Sequence, residues 1–253
     1  MTRGNPVDMA ASVKQRLLNL SREHQVEFNM ILRRYGIERL MYRLCRSGHT
    51  DSFVLKGATL LRLWGGTEAR ATKDLDLMGQ GESSPEHLVQ VFKDICSQEV
   101  DTPDGLQFQG SSVRIEEIRD ADEYEGQRVF VEALLGKARI PIQVDIGYGD
   151  AVYPKPTVQK FPTLLSLPAP RIRAYPRESV VSEKLEAMVK LGPANSRMKD
   201  YYDIWWLSRS FEFRGRRLSK AMRYTFDRRR TVLTEGTPSG LSDEYGAAED
   251  NQT

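Results

Sequence analysis

Residues 53–79 read FVLKGATLLRLWGGTEARATKDLDLMG, and the changes of period inside this stretch decide the fold. Phe53-Val54-Leu55-Lys56 is a short apolar run stopped by Gly57, as expected of a buried strand. Ala58 to Leu63 then take up helical spacing, Trp64-Gly65-Gly66 turns the chain, and Ala71 to Met78 alternate around Asp74 and Asp76 as a second strand. Residues two apart in a strand project to one face, so Asp74 and Asp76 would present two carboxylates about 6 to 7 Å apart. Leu75 and Leu77 would anchor the other face. Hard oxygen ligands in such a pair suit a Mg²⁺ ion that also contacts substrate phosphates. A bare Asp-x-Asp is short, however, and two solvated acids on an edge strand would read the same.

On the N-terminal side, Asn5-Pro6-x-Asp8 offers a cap, a proline suited to the first helical position and an acid for the first turn. Val13, Leu17, Leu20, Val26, Phe28, Ile31, Leu32, Ile37, Leu40, Met41 and Leu44 follow at steps of roughly three and four, so residues 1–50 are expected to be helical. On the C-terminal side, Ser84-Pro85-Glu86 opens a helix carried by Leu88, Val91, Phe92, Ile95 and Cys96. Strands are expected over 113–118, 127–135 and 138–146, with Gly126 and Gly136-Lys137 as turns. Prolines 154, 156, 162, 168 and 170 punctuate a loop-rich passage in which Arg171 to Tyr175 adds one strand. Helical spacing returns after Pro176, through Val180, Val181, Leu185 and Met188 and then Tyr201, Ile204, Trp205 and Leu207. The fold class is α+β: N-terminal helices, a mixed, mostly antiparallel sheet with flanking helices, and a C-terminal helical bundle. The expected divisions are 1–50, a core over 51–175, a helical domain over 176–235 and an acidic, flexible tail over 236–253.

Composition narrows the function. With 37 Lys+Arg, 35 Asp+Glu, 40% hydrophobic residues and 2 Cys, the chain is neither low-complexity nor a disulfide scaffold. No apolar run approaches the roughly 18 residues of a membrane span, the N-terminus lacks a signal-peptide stretch, and Cys45 and Cys96 read as buried thiols, so a cytoplasmic protein is expected. Charge is unevenly spread: +5 over residues 1–50, +7 over 214–230 (RGRRLSKAMRYTFDRRR), −5 over 231–253 and −5 over 51–213. Basic flanks around an acidic middle suit a cation-binding centre beside a polyanion-binding surface, and a solvated basic helix suits the run equally. The candidate nucleic-acid contacts are Arg214, Arg216, Arg217, Lys220 and Arg223.

Two features strengthen the Asp-x-Asp reading. Gly57-Ala58 ends a strand and opens a helix, where backbone N–H groups can approach a phosphate. In Ile142-Gln143-Val144-Asp145-Ile146-Gly147 a lone acid interrupts an apolar strand, and a third carboxylate beside the first two completes a two-metal site. The Tyr201, Tyr202, Trp205 and Trp206 cluster reads as helix-packing core rather than a stacking platform.

Together these residues resemble the polymerase-beta-like nucleotidyltransferases. The ordered blocks KGATLLRLW, RATKDLDL, QVDIGYGD, YPRESVVSEKLEAMVKLG and NSRMKDYYDIWWL are similar to the AbiEii/AbiGii toxin family, which includes the mycobacterial MenT proteins. Ala58 departs from the superfamily's Gly or Ser, which leaves the phosphate contact to backbone. The resemblance implies an enzyme of a type IV toxin–antitoxin system that transfers NMP from an NTP to the 3′ end of RNA, foremost tRNA, with a cognate antitoxin as partner. Asp74, Asp76 and Asp145 would hold Mg²⁺ or Mn²⁺, with Asp145 assisting the incoming hydroxyl. Lys184 would neutralise the triphosphate, although a surface lysine paired with Glu183 or Glu186 looks identical. Either Asp200 or Asp203 would be the catalytic acid of the last block, with Lys199 placed to orient Asp203. Lys56, Gly57, Ala58, Arg70, Thr72, Lys184 and Lys199 are the candidate nucleotide contacts. A small-molecule or protein acceptor, or a non-catalytic RNA- or partner-binding module of the same fold, are the alternatives.

Overall fold

The computed structural model describes residues 8–65, 72–119, 125–233 and 235–247. By contacts the chain divides into two compact units, Met1–Gly149 with Val158–Ala174, and Asp150–Thr157 with Tyr175–Thr253.

The first unit opens with two helices, α1 (Met9–Glu23) and α2 (Phe28–Arg46). Asn5 and Pro6 lie outside the described residues. Asp8, expected inside the first turn, is itself the cap, and its carboxylate accepts from the Ala11 N–H at 3.0 Å. Then come β1 (Phe53–Lys56), α3 (Thr59–Gly65), β2 (Leu75–Gly79), α4 (Pro85–Cys96), β3 (Leu106–Arg119), β4 (Glu125–Leu135), β5 (Ala138–Tyr148), β6 (Thr157–Lys160) and β7 (Arg171–Ala174). The seven strands form one mixed sheet in the order β3-β4-β5-β2-β1-β7-β6. β3–β4, β4–β5 and β1–β2 are antiparallel, whereas β2–β5 and β1–β7 are parallel.

Alternation assigns the two faces. Leu75 and Leu77 of β2, Val129, Val131 and Ala133 of β4, and Ile140, Ile142, Val144 and Ile146 of β5 are buried, and α2 packs onto β5 while α4 packs onto β3. Gly36 makes the α2 contact possible, because a Cβ there would lie 3.0 Å from Ile142 Cδ1 and 3.1 Å from Ile140 Cγ2. The residues between them, Asp76, Arg128, Phe130, Gln143 and Asp145, share the opposite face.

Several boundaries differ from expectation for physical reasons. β2 begins at Leu75, so Asp74 sits in the bend before it, and Ala71 lies outside the described residues. β3 starts seven residues earlier than the expected Val113 because a register shift between Gln109 and Arg114 breaks its period of two. Gly126 is inside β4, paired with Ile118 and Gly147, rather than in a turn. β6, fully exposed on the sheet edge, offers no apolar alternation to read.

The second unit is helical: α5 (Arg177–Leu191), α6 (Met198–Ser210), α7 (Gly215–Arg228) and the short α8 (Asp243–Ala247). α5 packs against α6 and α7, burying Val180, Val181, Met188, Leu207, Ala221 and Phe226. Within the expected acidic tail, 236–253, Tyr245 is buried, donates its hydroxyl to the Asn195 carbonyl and stacks on Tyr201. One tyrosine suffices for this and leaves no periodic signal.

Candidate active site

Three aspartates meet on the polar face of the first unit's sheet. Asp76 and Asp145 are direct register partners on the parallel strands β2 and β5, which puts their Cα atoms about 5 Å apart. Asp74 precedes Asp76 by two residues. Burial first of all pushes the Asp76 carboxyl up to about 6, and Asp145 and Asp74 add to the rise while Lys56 and the Ala58 N–H oppose it. Asp74 is also raised, by burial and then by Asp145, against Arg33, Arg128 and Lys73. Two acids whose charge is disfavoured by desolvation and by a neighbouring carboxylate are of the kind that can serve as oxygen donors to a divalent cation.

Asp145 is differently placed. Arg128 of β4, its register partner, grips it with Nε–Oδ1 and Nη2–Oδ2 bonds of 2.8 Å each, and Gln143 Nε2 donates to both oxygens at 3.1 and 3.2 Å. Among the described residues no group of three or more His, Cys, Asp or Glu side chains is arranged to hold a metal ion. Of the three expected ligands, Asp145 is the one clamped by an arginine in this structure, while Asp74 and Asp76 lie beside it on the same face. Arg128 and Gln143 were missed in the sequence, although their place on the polar phase of β4 and β5 was open to reading.

The Gly57-Ala58 turn, expected to meet a phosphate, lies against Asp76 in this structure. Gly57 has φ +66°, and a Cβ there would fall 2.0 Å from Asp76 Oδ2, so only glycine lets the carboxylate lie against the turn. The Ala58 N–H is hydrogen-bonded to that carboxylate. This turn holds Asp76 in position. Thr72, expected to touch nucleotide, gives its hydroxyl to the Asp74 carbonyl at 3.3 Å, as does Thr59, and so shapes the bend that carries Asp74. Lys56 is the register partner of Asp76. Arg70 lies outside the described residues.

The remaining candidates belong to the second unit. Lys184 of α5 bonds Asp200 and lies 2.8 Å from Asp203 Oδ2, with side-chain exposures of 12%, 15% and 0%. It does not pair with Glu183 or Glu186 in the way a surface lysine would; Glu186 instead takes Arg229 at 2.7 Å. Lys199 is exposed, and the cation that meets Asp203 is Lys184 rather than Lys199, because α6 turns Asp203 inward toward α5. Tyr202 and Trp205 are not core: they are 47% and 58% exposed, with ring centroids 5.7 Å apart.

The basic runs are also less free than the charge count suggests. Arg39 and Arg43 are buried against Asp104 at 3.0 and 2.7 Å. On α7, Arg217 pairs with Glu178 at 3.2 Å, Lys220 lies 4.6 Å from the Tyr153 ring centroid, and Arg229 just beyond the helix reaches Asp150 and Glu186. Arg214, Arg216 and Arg223 remain exposed.

Glycine-seated paired aspartates on the polar face of a mixed sheet, followed by a helical unit carrying a half-buried lysine, fit a nucleotidyltransferase. The family profile described as "Nucleotidyl transferase AbiEii toxin, Type IV TA system" matches residues 39–252, and the chain belongs to this family of toxin-type nucleotidyltransferases. Among solved structures the chain is similar to JHP933 from Helicobacter pylori, at 18% identity and TM-score 0.47, covering 85% of this chain and 86% of that one. A second H. pylori protein, described as a candidate nucleotidyltransferase, aligns at 19% identity and TM-score 0.45, over 84% and 87%. No curated protein matches the chain. No described helix is long and apolar enough to cross a membrane.

Proposed function

We propose that the protein transfers a nucleoside monophosphate from an NTP to the 3′ end of RNA, foremost tRNA, releasing pyrophosphate and blocking translation until a cognate antitoxin neutralises it in the cytoplasm. The observation that carries this reading is the Asp74, Asp76 and Asp145 constellation, in which Asp76 and Asp145 are register partners and Asp76 rests on a glycine that tolerates no side chain.

Asp74 and Asp76 would hold Mg²⁺, or Mn²⁺ in its place; when bound, the metal neutralises phosphate charge and favours the ionised acceptor hydroxyl. The protein's own residues do the rest. Asp145, its two oxygens aimed by Arg128 and Gln143, orients the acceptor hydroxyl and takes its proton. The hydroxyl oxygen bonds to the α-phosphorus as the bond from that phosphorus to the pyrophosphate oxygen breaks, and pyrophosphate leaves with the electron pair. Lys56 lies on the β1 side of Asp76, where it can face phosphate. Lys184 carries the family's triphosphate-neutralising charge. Asp203, fully buried, positions Lys184, while Asp200 is the more accessible acid of its block. The exposed Arg214, Arg216 and Arg223 offer charge for an RNA backbone.

Purified protein incubated with each labelled NTP, Mg²⁺ and total RNA should place label on RNA, with tRNA the main carrier. Label found only on a small molecule or on protein would overturn the RNA assignment. Expression should also arrest growth, and Asp74→Ala should relieve the arrest; equal harm from the variant would disconnect toxicity from catalysis.

A further inference from the structure

The polar face of the sheet carries a cavity of ≈ 340 Å³ whose wall includes Asp74, Arg33, Lys73, Arg114, Phe130 and Gln143. Ligand sites are of this order of size, roughly 300 to 1,000 Å³. We infer that this cavity receives the 3′-terminal nucleotide of the RNA acceptor, an assignment that rests on the transfer reading above and adds where the acceptor ends.

Three observations converge on it. First, the wall carries three cations, Arg33, Lys73 and Arg114, against two acids, Asp74 and Glu132; Glu132 is paired with Arg139 at 2.7 Å and Arg114 with Glu116. This balance favours a phosphate-bearing acceptor over a cationic one. Second, the Arg114 guanidinium lies 3.7 Å from the Phe130 ring centroid, is tethered by Glu116, and keeps 59% side-chain exposure. A planar cation backed by an aromatic ring is a surface on which a base can stack. Third, strand order sets the direction of approach. The cavity lies over β3, β4 and β5, whereas the Gly57 turn and Lys56 lie at the end of β1, on the other side of β2. In-line displacement requires the entering oxygen and the departing pyrophosphate on opposite sides of the phosphorus. With Lys56 on the phosphate side, the β3–β5 side belongs to the acceptor, and Asp145 stands between them.

A short single-stranded RNA ending in 4-thiouridine, photo-crosslinked to the full chain, should attach to peptides containing Ser112 to Glu116, Arg128 to Glu132 or Pro141 to Gln143. The double variant Arg114→Ala/Phe130→Leu, with its fold checked by circular dichroism, should lose the crosslink and raise the KM for RNA about tenfold at unchanged KM for NTP. Crosslinks confined to the Arg214 to Arg223 helix, no crosslink at all, or an unaltered RNA KM in the folded variant would overturn the assignment. The two readings fail separately. Label transfer by the wild type with crosslinks elsewhere removes only the cavity, whereas crosslinks in the cavity without label transfer to any RNA remove only the transferase reading.

Discussion

The aspartates of the sheet and the aspartates of the C-terminal helices are buried on opposite terms. On the sheet, Asp74 and Asp76 lie near Asp145, and burial first and Asp145 after it raise both carboxyls, with Asp74 adding to the rise of Asp76. In the helical unit, Asp203 is more deeply buried still, yet Lys184 stands 2.8 Å away and also holds Asp200. A buried carboxylate matched to a lysine contributes to stability whatever else it does, because removing its partner strands a buried charge. Lys56 acts on Asp76, and Arg33, Arg128 and Lys73 act on Asp74, yet both carboxyls stay raised. Asp145 is intermediate, a member of the sheet group matched to Arg128.

The largest expected effect is on catalysis. Asp76→Asn should lower NMP transfer by about 10²-fold or more, by analogy with the loss of one preorganised electrostatic group, while denaturant unfolding shows equal or higher stability because one member of a like-charged set is neutralised. An accompanying loss of stability would break the contrast, since Asp76 would then be a structural acid. Next in size is Asp203→Ala, which removes a buried partner of Lys184 and should cost about 3 to 5 kcal/mol in chemical denaturation. Lys184→Met/Asp203→Leu should recover part of that loss; no recovery would mean that the cost lies in packing rather than charge.

Glu38 of α2 extends the contrast through pH. It is 2% exposed, accepts from the Leu164 N–H at 2.7 Å, and has Arg39 only at 3.8 Å; burial raises its carboxyl to about 7 from 4.5. The folded state thus holds this proton more tightly than the unfolded chain. Its contribution to stability is complete below pH 4.5 and is lost as pH rises through about 7, a decline of up to about 3 kcal/mol. Glu38→Gln, which keeps a carbonyl oxygen for Leu164, should flatten that segment of the stability–pH curve. A wild-type curve with no such segment, or one that Gln leaves unchanged, would show that Arg39 compensates Glu38 after all. The smallest effect belongs to α7: Arg216→Glu and Arg223→Glu should each shift stability by less than about 0.5 kcal/mol, yet each should reduce the log–log salt slope of RNA affinity by about 1 if it meets a phosphate. An unchanged slope would leave these arginines as solvated surface.

Alternation and helical period made much of this molecule legible in advance. The run ending at Gly57, the Leu75 and Leu77 flanks of Asp76, and the polar Gln143 and Asp145 between Ile142, Val144 and Ile146 all announce strands and the face each residue takes, because side-chain direction is a local property of the backbone. Ordered motifs added the family. Pairing is not local, and pairing decided the chemistry. The sequence marked Asp145 as a candidate third ligand, but only the pairing of β4 with β5 shows that Arg128 stands opposite it and fixes its orientation. The same spacing that linked Lys199 to Asp203 was overridden when α6 packed on α5 and gave Asp203 to Lys184. A count of charge over 1–50 and 214–230 could not tell Arg39, Arg43 and Arg229, committed to Asp104, Asp150 and Glu186, from Arg216 and Arg223 at the surface. Which acids carry charge, and which merely balance it, depends on neighbours brought from other strands and helices, 17 residues away for Arg128 and Asp145 and 65 for Arg39 and Asp104. Only the folded chain supplies them.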